Sequence, residues 1–289
     1  MNSTIDDAAA NSQDGNKTST LSEMDSILAA LKSIAKYKAR SYDTSKNVHV
    51  PLLQAHTKDS PENGPTVVLL GDSMLERMTT TGQSPNFVAP WPSPVMLNDD
   101  TLSRYQLKSD EHPTLHRFDR VFNAGVGGDK IQNVAYRLVG DEERGLPGLL
   151  PLLARCGTVK VWLVHVGTNN LSPRYGLRYE DVAALEVLLR ALLRASPRSR
   201  LLLTGLFDRK DMSSHVVWGA DDKLKDLGNL LMDRGAIERV LFISRPLEIN
   251  IEEHLVDHVH LNLAGYRVWT EFLFVSMVAA LQWVDRNDN

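Results

Sequence analysis

The feature that most constrains this chain is a series of short apolar runs, each followed by a stretch with helical spacing, from residue 66 to the C-terminus. The runs predict strands at Thr66–Leu70, Arg120–Asn123, Val159–Val166, Arg200–Leu206 and Val240–Ser244. Several are apolar without alternation, as expected of parallel strands covered on both faces. Helical patterns lie around Asp129–Leu138, Tyr179–Ala195 and Asp221–Arg234, and again over Leu263–Val284. Such repetition predicts an α/β fold, a three-layer α/β/α sandwich around an open, mostly parallel five-stranded sheet. In sheets of this kind the active site lies beyond the carboxyl ends of the strands.

Residues able to do chemistry follow the predicted strands directly. Gly71-Asp72-Ser73 comes after the first, Gly125-Val-Gly-Gly128 after the second, and Gly167-Thr-Asn169-Asn170 after the third. Asp257 and His260 come after the fifth, just before the last helix. A serine at a strand-to-helix junction sits where free N–H groups and the helix dipole favour negative charge, which suits a nucleophile that generates an oxyanion. By itself Ser73 reads more readily as a helix cap than as a nucleophile. The spacing of Asp257 and His260 lets one turn of loop join carboxylate and imidazole, fixing the tautomer that can take a serine proton. The glycines at 125, 127 and 128 allow close backbone approach to a ligand, and Asn169 offers an amide donor.

Together, Gly-Asp-Ser73, Asn123-Ala-Gly-Val-Gly-Gly-Asp129, Gly167-Thr-Asn-Asn170 and Asp257-x-x-His260 resemble the four sequence blocks of the SGNH (GDSL-type) hydrolases. Within that family the catalytic subunits of the intracellular platelet-activating-factor acetylhydrolases have a similar Gly-Gly-Asp and a similar Val-Gly-Thr-Asn-Asn. The resemblance covers about residues 65–285 and implies the flavodoxin-like SGNH hydrolase fold. It further implies Ser73 as nucleophile, Asp257 and His260 as the rest of a triad, and an oxyanion hole made of the Ser73 and Gly128 N–H groups with the Asn169 side chain. The implied activity is a serine esterase acting on acyl or acetyl esters, with a small-molecule, lipid or sugar ester as substrate and no metal or organic cofactor.

Two segments fall outside that pattern. Residues 1–62 read as an N-terminal extension. Its first 20 or so residues are polar and predicted disordered. One amphipathic helix follows, through Met24, Ile27, Leu28, Leu31, Ile34 and Ala35, and then a linker over 41–65. The hydrolase domain spans 63–289 and carries an insertion at about 79–119, punctuated by Pro85, Pro90, Pro92 and Pro94. In it Trp91 and Phe87 are candidates for an acyl-binding wall. Phe207 and Trp218, with the Phe207-Asp-Arg-Lys210 segment after the fourth strand, are further candidates for lining the site.

Composition narrows the function classes. A formal charge of -4, spread along the chain, provides no basic face for nucleic acid or polybasic membrane anchor. Cys156 is the only cysteine, so no internal disulfide forms and a reducing, cytoplasmic setting is expected. The N-terminus lacks a secretion signal, and Glu271 interrupts the apolar stretch Val268–Val284, so no transmembrane segment is expected. A homodimer is compatible with the sequence, which sets no oligomeric state.

Other readings fit less well. A dinucleotide fingerprint fails because its third glycine position is Lys130, and a Gly-x-Ser-x-Gly elbow fails because Met74 and Leu75 follow Ser73. His254, Asp257, His258 and His260 suggest a metal-dependent hydrolase, but that reading leaves Ser73 and Asn169 unused. A non-catalytic binding protein on the same fold is the stronger rival, since fold does not fix function.

Overall fold

The computed structural model describes residues 24–78 and 120–287, apart from 235 and 237. The polar N-terminus, the insertion, Phe87 and Trp91 lie outside these described residues.

Strand β1 (Val67–Gly71) is buried along its whole length. Successive strand side chains point to opposite faces, and here both faces are dry. Val68 and Leu70 enter one core cluster and Val67 and Leu69 the other. The same division recurs in β5 (Val161–His165), where Trp162 and Val164 oppose Val161 and Leu163. That double burial is why the sequence runs show no polar alternation.

With β2 (Val121–Gly125), β6 (Arg200–Thr204) and β7 (Val240–Ile243) these strands form a five-stranded sheet of order β2-β1-β5-β6-β7, parallel at every pairing. A small antiparallel hairpin, β3 (Gly140–Asp141) and β4 (Leu146–Pro147), stands apart from it. The winding direction reverses at β1. A crevice therefore opens beyond the carboxyl ends of β1, β2 and β5, the usual ligand position in doubly wound sheets.

One helix layer is built from α1 (residues 24–34), α2 (Ala39–Thr44) and α3 (Val50–Thr57), then α5 (Ile131–Val139), α6 (Leu149–Cys156), α7 (Tyr179–Ala195) and α8 (Ser214–Asp233). It supplies Ile27, Leu31, Leu53, Val134, Leu188 and Leu224 to one core cluster. The opposite face is covered by the short α4 (Ser73–Glu76) and by α10 (Leu263–Asn287). From α10 come Tyr266, Trp269, Leu273, Met277 and Leu281 at helical spacing. By length and composition α10 could cross a membrane, but half of its apolar window is buried within the protein. Glu271 does not exclude a span by composition; the buried face shows a helix packed on the sheet.

The structure corrects the N-terminal reading. Residues 41–65 are not a linker. Helix α2 continues through a π-helical turn, Ser45–His49, into α3. The π turn breaks the 3.6-residue rhythm on which a helix is recognised, and Pro51 lies in the first turn of α3, where proline is tolerated. Helix α6 carries little helical spacing for a similar reason: it has eight residues, with Pro151 near its start. Helix α8 begins earlier than its apolar spacing suggests, at a Ser213 cap whose hydroxyl accepts from the His215 N–H at 3.3 Å.

Candidate active site

Ser73 opens α4 immediately after β1. Asp72 caps this short helix, accepting the Met74 N–H at 3.0 Å through Oδ1. The turn is tied down on several sides. The Tyr266 hydroxyl donates to the Met74 carbonyl at 2.9 Å, and the Asn123 amide donates to the Leu75 carbonyl at 2.7 Å. Gly71 leaves no room for a side chain, since a Cβ there would lie 1.9 Å from the His165 carbonyl oxygen.

The second cluster is shaped by the loop between α9 (Ile251–His254) and α10. An antiparallel bridge joins Leu255 to Leu261, and within it the Val256 N–H donates to the His260 carbonyl at 2.9 Å. The chain is thereby folded back so that Asp257 Oδ1 accepts the Val259 and His260 N–H groups at 2.8 and 2.7 Å. Asp257 Oδ2 meets His260 Nδ1 at 2.7 Å, and His260 Nε2 stands 2.9 Å from Ser73 Oγ. The three side chains read from the sequence thus form one continuous hydrogen-bonded chain.

Electrostatics sets their protonation states. Partial burial acts to raise the Asp257 pKa, but the two N–H donors and the imidazole outweigh it and hold it at about 2. Burial holds His260 below its ordinary value; Asp257 works against this, while the Arg77 guanidinium adds to it. Arg77 Nη2 lies 3.7 Å from Asp257 Oδ2. Near neutral pH the group is therefore an ionised carboxylate beside a neutral imidazole. Its proton sits on Nδ1, and Nε2 is left to accept the Ser73 hydroxyl.

Gly128 has φ +73, the left-handed region that favours glycine, and it follows the carboxyl end of β2. Among the described residues, no backbone carbonyl accepts the Ser73 or the Gly128 N–H. Asn169, beyond β5, donates from Nδ2 to the Asp129 carbonyl at 3.0 Å; its contact with Asp72 Oδ2 is longer, at 3.5 Å. The neighbouring Asn170 is spent on structure, accepting the Ile131 N–H at 3.0 Å and donating to Asp181 at 2.6 Å.

The supporting network was not read from the sequence. Asp129 and Arg137 are fully buried and paired at 2.8 Å. Arg137 also donates to the Ala124 carbonyl at 2.8 Å and the Gly71 carbonyl at 3.1 Å, tying the ends of β2 and β1 together. The available signal was a lone arginine among the apolar residues of α5, eight positions after Asp129. From the N-terminal segment, Ser41 Oγ donates to Asp129 Oδ1 at 2.6 Å, and Lys38 Nζ reaches the Gly127 carbonyl at 2.8 Å. Nothing in the sequence pattern marked these two.

Of the candidate lining residues, Phe207 is a correction. It is buried, with its ring centroid 5.0 Å from that of Trp269 and 5.8 Å from that of His165, because the apolar face of α10 claims it. Trp218 is half exposed beside the Arg245 guanidinium. The segment after Phe207 does reach the site loops: Arg209 donates to the Thr168 carbonyl and the Lys210 N–H to the His258 carbonyl, both at 2.9 Å. His254 turns its Nδ1 to the Asn250 N–H at 3.2 Å, and among the described residues no three His, Cys, Asp or Glu side chains converge.

No family model matches the sequence, and no curated protein matches it. Solved structures do. A carbohydrate esterase family 3 protein from Talaromyces cellulolyticus superposes with a TM-score of 0.50 at 14% identity, over 75% of this chain and 98% of that one. A family two carbohydrate esterase from Clostridium thermocellum gives 0.49 at 13% identity, over 76% of this chain and 65% of that one. A GDSL-like lipase from Bacteroides thetaiotaomicron gives 0.42 at 15% identity, over 74% and 88% of the two chains. At these identities the likeness is one of fold. The architecture is the SGNH-hydrolase fold that the four sequence blocks imply.

Proposed function

We propose that this protein is a serine hydrolase of the SGNH type that cleaves carboxylic esters, acyl or acetyl, through an acyl-enzyme. The observation that carries the reading is the chain from Ser73 Oγ to His260 Nε2 at 2.9 Å and from His260 Nδ1 to Asp257 Oδ2 at 2.7 Å. A structural serine cap has no need of a neutral imidazole on its hydroxyl.

In the first half-reaction His260 Nε2 takes the Ser73 proton as Oγ bonds to the ester carbonyl carbon. Charge moves to the carbonyl oxygen, which the Ser73 and Gly128 N–H groups and the Asn169 amide receive. The Asn169 N–H available for this is the one whose contact with Asp72 is long. His260 then gives its proton to the leaving alcohol as the carbon–oxygen bond breaks. In the second half-reaction it takes a proton from water as the water oxygen bonds to the acyl carbon, then returns that proton to Ser73 Oγ as the acyl–Oγ bond breaks and the acid leaves. Asp257 stays ionised throughout and stabilises the imidazolium. No step calls for a metal or organic cofactor. The fold shared with the Talaromyces esterase supports ester chemistry, and the alcohol, lipid or sugar, is left open.

The test is hydrolysis of short-chain p-nitrophenyl esters with covalent labelling of Ser73 by a fluorophosphonate. Turnover and labelling in the wild type, both abolished in Ser73→Ala with the fold retained, are expected. A folded wild type that neither turns over acyl esters nor labels at Ser73 rules the reading out and leaves a binding protein on this fold.

A further inference from the structure

We infer that Lys38, from the N-terminal segment outside the hydrolase blocks, is a positioning residue for the oxyanion hole, acting through the Gly127–Gly128 peptide. The inference rests on the serine-hydrolase reading, in which the Gly128 N–H receives the oxyanion.

Lys38 Nζ donates to the Gly127 carbonyl oxygen at 2.8 Å. That carbonyl belongs to the same peptide unit as the Gly128 N–H. A trans peptide is planar, with C=O and N–H pointing in opposite directions. An ammonium fixed on the oxygen therefore fixes where the N–H points. A charged donor on the carbonyl also draws electron density along the peptide and strengthens the N–H as a donor. The peptide has glycine on both sides, so its own torsions restrain it little.

Lys38 is itself held. Its backbone is extended and ends the connector 35–38, where the Lys36 N–H donates to the Gln132 carbonyl at 2.9 Å and the Asn133 amide donates to the Lys36 carbonyl at 2.9 Å. Its ammonium is balanced by buried Asp129, 3.4 Å away. A Cβ on Gly128 would lie 2.9 Å from Nζ, so the lysine packs directly against the donor residue. A lysine placed only to anchor the N-terminal helices has no need of this carbonyl.

The test compares Lys38→Met, Lys38→Arg and Tyr42→Phe. Tyr42 sits on the same segment, and its hydroxyl donates to the Arg144 carbonyl at 2.9 Å, so Tyr42→Phe loosens the anchorage without touching the peptide. The readouts are kcat and KM on a p-nitrophenyl ester, the rate of Ser73 labelling by a fluorophosphonate, affinity for a trifluoromethyl ketone that forms a tetrahedral adduct, and the thermal midpoint. Lys38→Met is expected to lower kcat, labelling rate and ketone affinity together by about tenfold, less than outright loss of a donor, with KM and the thermal midpoint unchanged. Lys38→Arg should recover most of the loss, and Tyr42→Phe should leave kcat unchanged.

Unchanged kcat and labelling in Lys38→Met, in a protein whose activity Ser73→Ala abolishes, overturns the role of Lys38 alone. So does a loss reproduced by Tyr42→Phe and accompanied by a lower thermal midpoint. A wild type that never labels at Ser73 overturns the serine-hydrolase reading, and this inference with it.

Discussion

The side-chain amide of Asn169 donates to the backbone carbonyl of Asp129 at 3.0 Å, joining the loop beyond β5 to the loop beyond β2. The two loops proposed to offer donors to an oxyanion are thus cross-linked to each other. The bond fixes one N–H of the amide and thereby aims the other. Asn169→Ala is expected to lower kcat by roughly 10²–10³ with little change in KM, because the lost contact forms only as charge develops. Steady-state kinetics checks this, and a loss confined to KM would contradict it.

The pH dependence follows from His260. Its pKa is held below the ordinary 6.5, first by burial. Since the base must be neutral, the acid limb of kcat/KM should have its midpoint below pH 6.5. Arg77 adds to the depression, so Arg77→Gln should move that limb to higher pH. A pH–rate profile of the two proteins measures the shift, and a limb that stays put would show that Arg77 does not reach the imidazole electrostatically.

The buried pair of Asp129 and Arg137 should matter to stability as well as to the site. Asp129→Ala leaves a guanidinium uncompensated in the core, which costs about 3–5 kcal/mol. Arg137→Met on top of it should restore part of the loss. Urea denaturation of the single and double variants decides this, and a single-variant effect under about 1 kcal/mol would mean water reaches the site.

Asp72 makes a separate claim. Burial is the main reason its pKa is raised from 3.8 to about 7; the Met74 N–H opposes the shift and Asp129 adds to it. Between those pH values the native protein holds a proton that the unfolded chain has released, so this group makes stability fall as pH rises. Asp72→Asn keeps an oxygen for the Met74 N–H and removes the titration. The stability of the variant relative to wild type should therefore grow from pH 4 to pH 7, as followed by denaturation at each pH. A difference that does not vary with pH would show that Asp72 ionises normally.

The sequence by itself determined the sheet, because strands dry on both faces must be apolar at consecutive positions, as in Val67–Leu70 and Val161–Val164. It also put Ser73, Asn169, Asp257 and His260 forward as candidates, since chemistry in such a sheet follows strand ends and a carboxylate three residues from a histidine needs only one tight loop, whereas the choice of Gly128 among three glycines came from the family resemblance. What no local pattern contains is a contact between distant segments. Phe207 followed a strand and looked like a wall of the site, yet α10 covers it. Lys38 fell between the predicted helix and the linker, and Ser41 at the linker's start, yet they bond the Gly127–Asp129 loop 89 and 88 residues away. Only tertiary structure could decide these, because burial and hydrogen bonding are set by which segments pack together, and spacing within one segment carries no record of its partner.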